Sequence, residues 1–159
     1  MSLAADVIKM MAHRSVTLAT CESITGGGIG AELTSVPGAS EVYRGSLVTY
    51  ARELKSSLAG VDEELIEHEG VVNELAALQM ALGAQARCGS DWAVSTTGVA
   101  GPSETDGASV GTVWFAVVGP RVGMSDAPSY TQLMEFEGDR ASIRQQSIDH
   151  ALSMLLRVL

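Results

Sequence analysis

The sequence predicts an α/β fold in three layers, α/β/α, around a mixed, partly parallel sheet of about five to six strands. Segments with helical spacing alternate with short apolar, β-rich runs along most of the chain, which is typical of a sheet covered by helices. The last three β-rich runs have few helical segments between them, so we expect part of the sheet to be antiparallel.

Six segments carry helix signals. An apolar stripe marks residues 3–12, and Pro37-Gly38 stops the second segment. Asp62, Asn73 and Asp139 are capping residues that open the last three. The predicted helices span 3–12, 25–35, 52–58, 63–68, 74–87 and the residues after Asp139. In the fifth helix we expect the inward positions to be Leu75, Leu78, Ala81 and Leu82.

The predicted strands span 16–20, 42–50, 92–96, 110–118 and 130–136. Glycine-rich corners directly follow the first and third of them, at 21–28 and 97–102. Ligands of open α/β sheets bind beyond the carboxyl ends of strands, so we expect both corners to contribute to one pocket.

Composition limits the classes of function. The 159 residues predict a single domain over 1–159, and the net charge of −9 disfavours binding to nucleic acid. No apolar run approaches the roughly 18 residues of a membrane span, and no secretory leader is visible. Cys21 and Cys88 lack metal-ligand spacing. We therefore expect a cytoplasmic protein with reduced thiols, no metal, no cofactor and no membrane association.

Ser23 lies on the first glycine-rich corner, where the start of a helix offers free backbone N–H groups to an anion or oxyanion. A serine needs a base, and a neutral lysine can serve. Lys55 falls about one helical turn after the second strand, with Arg52 as a neighbouring cation that would lower its pKa. The simpler interpretations are a helix-capping Ser23 and a solvated Lys55, and the sequence leaves them open.

Other nucleophiles and bases fit less well. The histidines, His13, His68 and His150, lie on predicted helices away from the corners, which disfavours a Ser-His-Asp triad. Cys21 is an alternative nucleophile, although a buried small side chain is its commoner role. Glu22 would either cap the following helix or orient a ligand.

These residues resemble motifs of the CinA C-terminal domain, the family of PncC-type nicotinamide-nucleotide amidases. The family's A-E-S-C-T-G-G corresponds to residues 21–27, its T-Y-S-N-E-A-K to residues 49–55, and its T-G-I-A-G-P to residues 97–102. V-G-T-V-W occurs at 110–114 and G-D-R at 138–140. The resemblance covers the chain from about residue 4 to its end.

The resemblance implies an enzyme that deamidates nicotinamide mononucleotide to nicotinate mononucleotide and ammonia, without metal or cofactor. It implies catalytic roles for Ser23, Lys55 and Tyr50, with the lysine acting directly or through the tyrosine. The implied substrate contacts are Glu22, Thr25, Gly26, Gly27, Arg52, Thr97, Gly98 and Arg140. The backbone at 25–27 would hold the oxyanion.

Two of the departures from the family motifs bear on the substrate. Ala51 and Arg52 replace Ser-Asn, and the 103–109 loop is about one residue shorter and lacks Lys-Pro. A non-catalytic module that binds a nucleotide or a partner, and an amidase for a related amide, are therefore the alternatives. The expected partner is a small-molecule nucleotide, and a homodimer or higher homo-oligomer is compatible with the sequence.

Overall fold

The computed structural model describes residues 1–159 and confirms the α/β prediction. A five-stranded sheet has the order β2-β1-β3-β4-β5, and β1 is parallel to both of its neighbours. The pairs β3–β4 and β4–β5 are antiparallel, as expected for the last three strands. The elements are α1 (Leu3–Arg14), β1 (Leu18–Glu22), α2 (Gly28–Thr34), a short 3₁₀ turn (Ala39–Glu41), β2 (Tyr43–Val48), α3 (Arg52–Ser57), α4 (Glu63–Glu69), α5 (Glu74–Cys88), β3 (Trp92–Gly98), β4 (Thr112–Val118), β5 (Ser129–Glu135) and α6 (Arg140–Val158).

Helices cover both faces of the sheet. Successive strand residues point to opposite sides, so Val94 and Phe115 pack under α1, α2 and α6, whereas Ala93 and Ala116 pack under α5. The two resulting cores contain 21 and 13 buried residues, and together they form the three predicted layers. None of the helices has both the length and the apolarity needed to cross a bilayer.

The inward face of α5 differs in part from the prediction: Ala81 is buried and Leu78 is partly buried, as expected, but Leu75 and Leu82 are not. Leu75 and Leu82 are 46% and 40% exposed, and the buried stripe consists of Ala76, Ala77, Met80, Ala81 and Ala84. Small side chains let α5 approach its neighbours closely. At Gly83 the approach is so close that an added Cβ would collide with the carbonyl of Ala59.

The first corner also has different boundaries. β1 runs through Glu22, and α2 begins only at Gly28, because Gly26 and Gly27 have φ values of +57° and +96° that an α-helix excludes. On the neighbouring strand, Arg44 forms a bulge. Leu18 pairs with Tyr43 and Ala19 with Gly45, so β2 gains one residue before its register with β1 becomes regular.

Candidate active site

Three loops at the carboxyl ends of neighbouring strands meet at one edge of the sheet. β1 and β2 are parallel and end at Glu22 and Val48, and β3, which is parallel to β1, ends at Gly98. The segment after each strand therefore starts at the same edge. This topology brings the Ser23 corner, the turn into α3 and the second glycine-rich corner together.

Ser23 and Lys55 contact each other directly. Lys55 Nζ donates to Ser23 Oγ at 3.0 Å and to the carbonyl oxygen of Thr49 at 2.7 Å. Lys55 is 1% exposed and Ser23 is 8% exposed. Because α3 starts at Arg52, Lys55 lies in its first turn, and the helix carries the amine back over the end of β2. A sheltered amine within hydrogen-bonding distance of a serine hydroxyl can act as its base.

Burial lowers the pKa of Lys55 from its ordinary value of 10.5 to about 8, because desolvation penalises the ammonium form. The Arg52 guanidinium lowers this pKa further and the Asp106 carboxylate raises it, each by a smaller amount than desolvation. With a pKa of about 8, roughly one tenth of the amine is neutral at pH 7 and about half at pH 8. The base form is therefore accessible near neutral pH.

Cys21 lies beneath this pair and on the opposite face of β1 from Glu22. Its side chain is fully buried in the core under α5, with Sγ 3.7 Å from Thr49 Oγ1. Burial raises the pKa of the Cys21 thiol to about 12, so the thiol stays protonated. These properties are those of a small buried side chain and disfavour Cys21 as a nucleophile.

A cavity of about 380 Å³ opens in front of Ser23 and Lys55. This volume lies within the range of roughly 300–1,000 Å³ that is typical of small-molecule sites. The second glycine-rich corner forms its opposite wall through Gly98–Gly101. Of the residues predicted from the sequence to be catalytic or to contact substrate, the lining includes Ser23, Tyr50, Arg52, Lys55, Gly98 and Arg140.

Tyr50 lies at the mouth of the cavity and is 61% exposed. Its hydroxyl accepts a hydrogen bond from Arg140 Nη2 at 2.9 Å, and Arg140 Nη1 donates to the carbonyl oxygen of Gly101 at 2.6 Å. No hydrogen bond joins Tyr50 to Ser23 or Lys55, so the geometry favours the alternative in which the lysine acts directly over the one in which it acts through the tyrosine. Arg140 forms no ion pair, so no carboxylate neutralises its guanidinium at the cavity mouth.

Glu22 is fully buried and does not line the cavity. Oε1 accepts from the N–H of Ile29 and the hydroxyl of Thr25, each at 2.8 Å. Oε2 accepts from the N–H of Gly30 and the hydroxyl of Thr20, each at 3.0 Å. Glu22 therefore fastens the start of α2 to β1, and the expectation that it contacts a ligand is corrected. Its position at the end of a strand was known from the sequence, but its partners were not.

The remaining predicted contacts at the corners also lie outside the cavity lining. Thr25 is fully buried, Thr97 donates its hydroxyl to the carbonyl oxygen of Val71, and neither Gly26 nor Gly27 lines the cavity. The fully buried and diverted side chains of Thr25 and Thr97 explain why they are unavailable to a ligand. At this corner the main chain has more unpaired donors than the side chains have, because the backbone N–H groups of residues 24, 25 and 27 donate to no protein acceptor.

Arg144 is a site residue that the sequence reasoning missed. From α6 its Nε donates to the carbonyl oxygen of Ile24 at 3.1 Å, and its Nη2 donates to that of Thr25 at 3.0 Å. It therefore holds the turn that follows Ser23. The available signal was its spacing, since Arg140 and Arg144 are one helical turn apart on the same face.

The histidines contribute nothing to this cavity. None of the three lines it, and His150 packs against Phe115 with ring centroids 4.7 Å apart. No group of three or more His, Cys, Asp or Glu side chains is arranged to hold a metal ion. The site therefore consists of a serine, a lysine, backbone N–H groups and arginines.

Comparison with known proteins gives consistent matches. A family model described as the CinA C-terminal domain matches residues 1–159. A CinA-like protein of Frankia casuarinae is 41% identical over 158 residues, which cover 99% of this chain and 35% of the relative. A putative competence-damage inducible protein of Symbiobacterium thermophilum is 43% identical over 155 residues, which cover 95% of this chain and 36% of the relative. The chain thus spans about a third of the length of these relatives.

Solved structures agree over nearly the whole chain. The competence/damage inducible protein CihA from Agrobacterium tumefaciens superposes with a TM-score of 0.90 at 32% identity, covering 98% of this chain and 92% of that one. A competence-damaged protein (CinA) superfamily protein from Escherichia coli superposes with a TM-score of 0.92 at 30% identity, covering 99% and 88%.

Proposed function

Because the chain belongs to the CinA C-terminal domain family, we propose that it is a serine amidohydrolase that converts nicotinamide mononucleotide to nicotinate mononucleotide and ammonia. The observation that carries the proposal is the 3.0 Å contact between Lys55 Nζ and Ser23 Oγ at the wall of the cavity. Burying a lysine costs free energy because its ammonium form is desolvated. Lysines with such a lowered pKa are found mainly at functional sites, where the neutral amine can act as a base.

In the first half of the reaction, Ser23 Oγ attacks the carboxamide carbon and its proton passes to neutral Lys55. One N–H of Lys55 stays on the carbonyl oxygen of Thr49, which leaves the lone pair free to accept the serine proton. When the tetrahedral intermediate collapses, the C–N bond breaks, and Lys55 returns the proton to the nitrogen that leaves as ammonia. The product of this half is an ester on Ser23.

In the second half, water hydrolyses the ester. Lys55, neutral again, takes a proton from the attacking water, whose oxygen bonds to the acyl carbon. Collapse breaks the bond from carbon to Ser23 Oγ, and Lys55 returns the proton to that oxygen. The enzyme is restored and the acid is released, so the sum is one amide and one water converted to one carboxylic acid and one ammonia.

The turn after Ser23 is the proposed oxyanion site. The N–H of Ile24, which lines the cavity, has no protein acceptor, and Arg144 fixes the turn through the carbonyl oxygens of Ile24 and Thr25. Gly26, by contrast, donates its N–H to the carbonyl oxygen of Ser23 and is not available. Each donor in such a site contributes roughly 3 kcal/mol to stabilising the transition state.

The nucleotide assignment comes from the family resemblance, and the charge of the cavity lining supports it. Arg140 lines the cavity without a carboxylate partner and suits a phosphate, whereas the Gly98–Gly101 wall brings backbone close to the ligand. We expect the phosphate to lie toward Arg140 and the carboxamide toward Ser23. Nicotinamide riboside, which lacks the phosphate, should then be a poorer substrate than the mononucleotide.

The test is ammonia release from nicotinamide mononucleotide by purified protein. Ser23→Ala should lower kcat by a factor on the order of 10⁴ or more, since the nucleophile is lost. Cys21→Ala serves as the comparison variant and should retain turnover, because that thiol lies outside the cavity lining. Ammonia release by wild type no faster than by Ser23→Ala would refute the proposal. Binding of the nucleotide without turnover would favour the non-catalytic module.

A further inference from the structure

The 103–109 loop is tied to the opposite side of the cavity by an ion pair. Arg52 Nη1 donates to Asp106 Oδ2 at 2.7 Å, and the two side chains are 46% and 28% exposed. Residues 52 and 106 belong to separate segments, the start of α3 and the tip of the loop. The pair therefore connects two parts of the chain that no secondary structure joins.

Asp106 also docks onto a prepared surface at the end of α4. Its Oδ2 accepts the N–H of Val71 at 3.0 Å, and Gly70 leaves room for it, since a Cβ at Gly70 would lie 2.6 Å from the Asp106 Cβ. Arg52 is held on the same helix, because its Nη2 donates to the carbonyl oxygen of Ile66 at 2.7 Å. One carboxylate thus joins the loop to α3 and to the end of α4.

The docked loop forms part of the cavity wall. Ser103 and Thr105 line the cavity from the loop, and Arg52 and Val71 line it from the other side. Thr105 and Ala108 exchange two backbone hydrogen bonds, of 3.1 and 2.8 Å, so the tip of the loop is a compact unit. Asp106 itself does not line the cavity, which separates its docking role from direct contact with a ligand.

We propose that Asp106 is a positioning residue that acts as a latch: its contacts with Arg52 and Val71 hold the 103–109 loop in the cavity wall and thereby raise the affinity for substrate. Asp106 also neutralises Arg52 by forming an ion pair with it. Arg140 is then the lining arginine without a carboxylate partner and can bind an anionic group of the ligand. The effect on substrate rests on the proposed function, whereas the docking of the loop does not.

Hydrogen exchange of the ligand-free protein tests the docking. The N–H of Val71 has Asp106 as its acceptor, and Arg52 does not contact Val71. If the ion pair holds the loop, Arg52→Met should speed exchange at Val71 by roughly two- to fivefold, although the acceptor is still present. Asp126→Ala, which removes the exposed Arg121–Asp126 pair, is the matched control and should leave Val71 exchange unchanged. Equal Val71 exchange in wild type and Arg52→Met would overturn the latch.

Kinetics tests the effect on substrate. Measured at pH 9, where Lys55 is mostly neutral with or without the Asp106 carboxylate, Asp106→Ala should raise the KM for nicotinamide mononucleotide by roughly tenfold with kcat within about twofold, because loop docking is lost while the contact between Ser23 and Lys55 remains. Asp106→Asn keeps an acceptor for Val71 and should show a smaller rise. An unchanged or lower KM in Asp106→Ala would overturn the role in affinity. Absence of turnover in wild type would instead refute the proposed function, and the exchange experiment would still decide the docking.

Discussion

Burying Lys55 has a cost in stability that the substitution Lys55→Met can measure. Lys55 is 1% exposed, and its pKa is about 8 in the folded protein against an ordinary value of 10.5. Between these two values the unfolded chain binds more protons than the folded one, so the free energy of unfolding rises with pH across this window. Below pH 8 the folded protein bears the full cost of the shift, and above about pH 10.5 it bears none.

The size of the effect follows from the shift. Integrated from pH 7 to pH 10, the difference in bound protons corresponds to a gain of about 2–3 kcal/mol in the free energy of unfolding. Methionine keeps most of the volume of the lysine stem and does not titrate. In Lys55→Met the rise with pH should therefore be smaller than in wild type by this amount.

Urea unfolding at several pH values between 7 and 10 provides the measurement. Every other titrating group is shared, so the wild-type curve minus the Lys55→Met curve isolates Lys55. Lys9→Met is a suitable control, since Lys9 is exposed on α1 and its removal should leave the pH dependence unchanged. Parallel wild-type and Lys55→Met curves would refute the reasoning, because they would mean that Lys55 has an ordinary pKa in the folded state.

Three further predictions concern the base, the corner and the packing of α5. In the proposed reaction kcat/KM should rise about tenfold from pH 7 to pH 9 and then level, because neutral Lys55 is the active form; a flat profile would contradict a lysine base. Glu22→Gln should lower the free energy of unfolding by roughly 2–4 kcal/mol in denaturant titrations, since an amide NH₂ would face N–H donors of α2; a change below about 0.5 kcal/mol would be inconsistent with the cap. Gly83→Ala should destabilise by about 1–3 kcal/mol, because its Cβ would meet the Ala59 backbone; an unchanged thermal midpoint would argue against that close approach.

Much of the fold was predictable because its signals are local. Apolar runs followed by glycines identified β1 and β3 and their corners, and capping residues at Asp62, Asn73 and Asp139 opened helices where expected. The inward face of α5 was not predictable in this way. Hydrophobicity favours the leucines, but the close approach of α5 to its neighbours selects the alanines, and this approach is set by tertiary packing.

The candidate site shows the same division. Ser23 and Lys55 each follow a strand, so parallel pairing was enough to suggest that they meet, whereas their catalytic roles stay predictions. The partners of Asp106 lie in segments far apart from it in sequence, whereas most donors to Glu22 are near in sequence and reach it only through the conformation of the glycine-rich corner. Of the two roles expected for Glu22, capping α2 or orienting a ligand, the structure shows the cap, because five donors enclose the carboxylate: the N–H groups of Ile29 and Gly30 and the hydroxyls of Thr20, Thr25 and Ser46.

The regular pairing that follows the bulge at Arg44 determines where insertions and deletions would disturb the distance between Lys55 and Ser23. Lys55 is fixed relative to Ser23 by the ladder between Ala19–Glu22 and Gly45–Val48 and by the turn that follows it. Losing one residue from that ladder would slide the lysine by about 3.3 Å and turn β2 side chains to the other face. The exposed turn at Pro37-Gly38 lies outside this ladder, so we expect a change of chain length there to leave the distance between the amine and the hydroxyl unaltered.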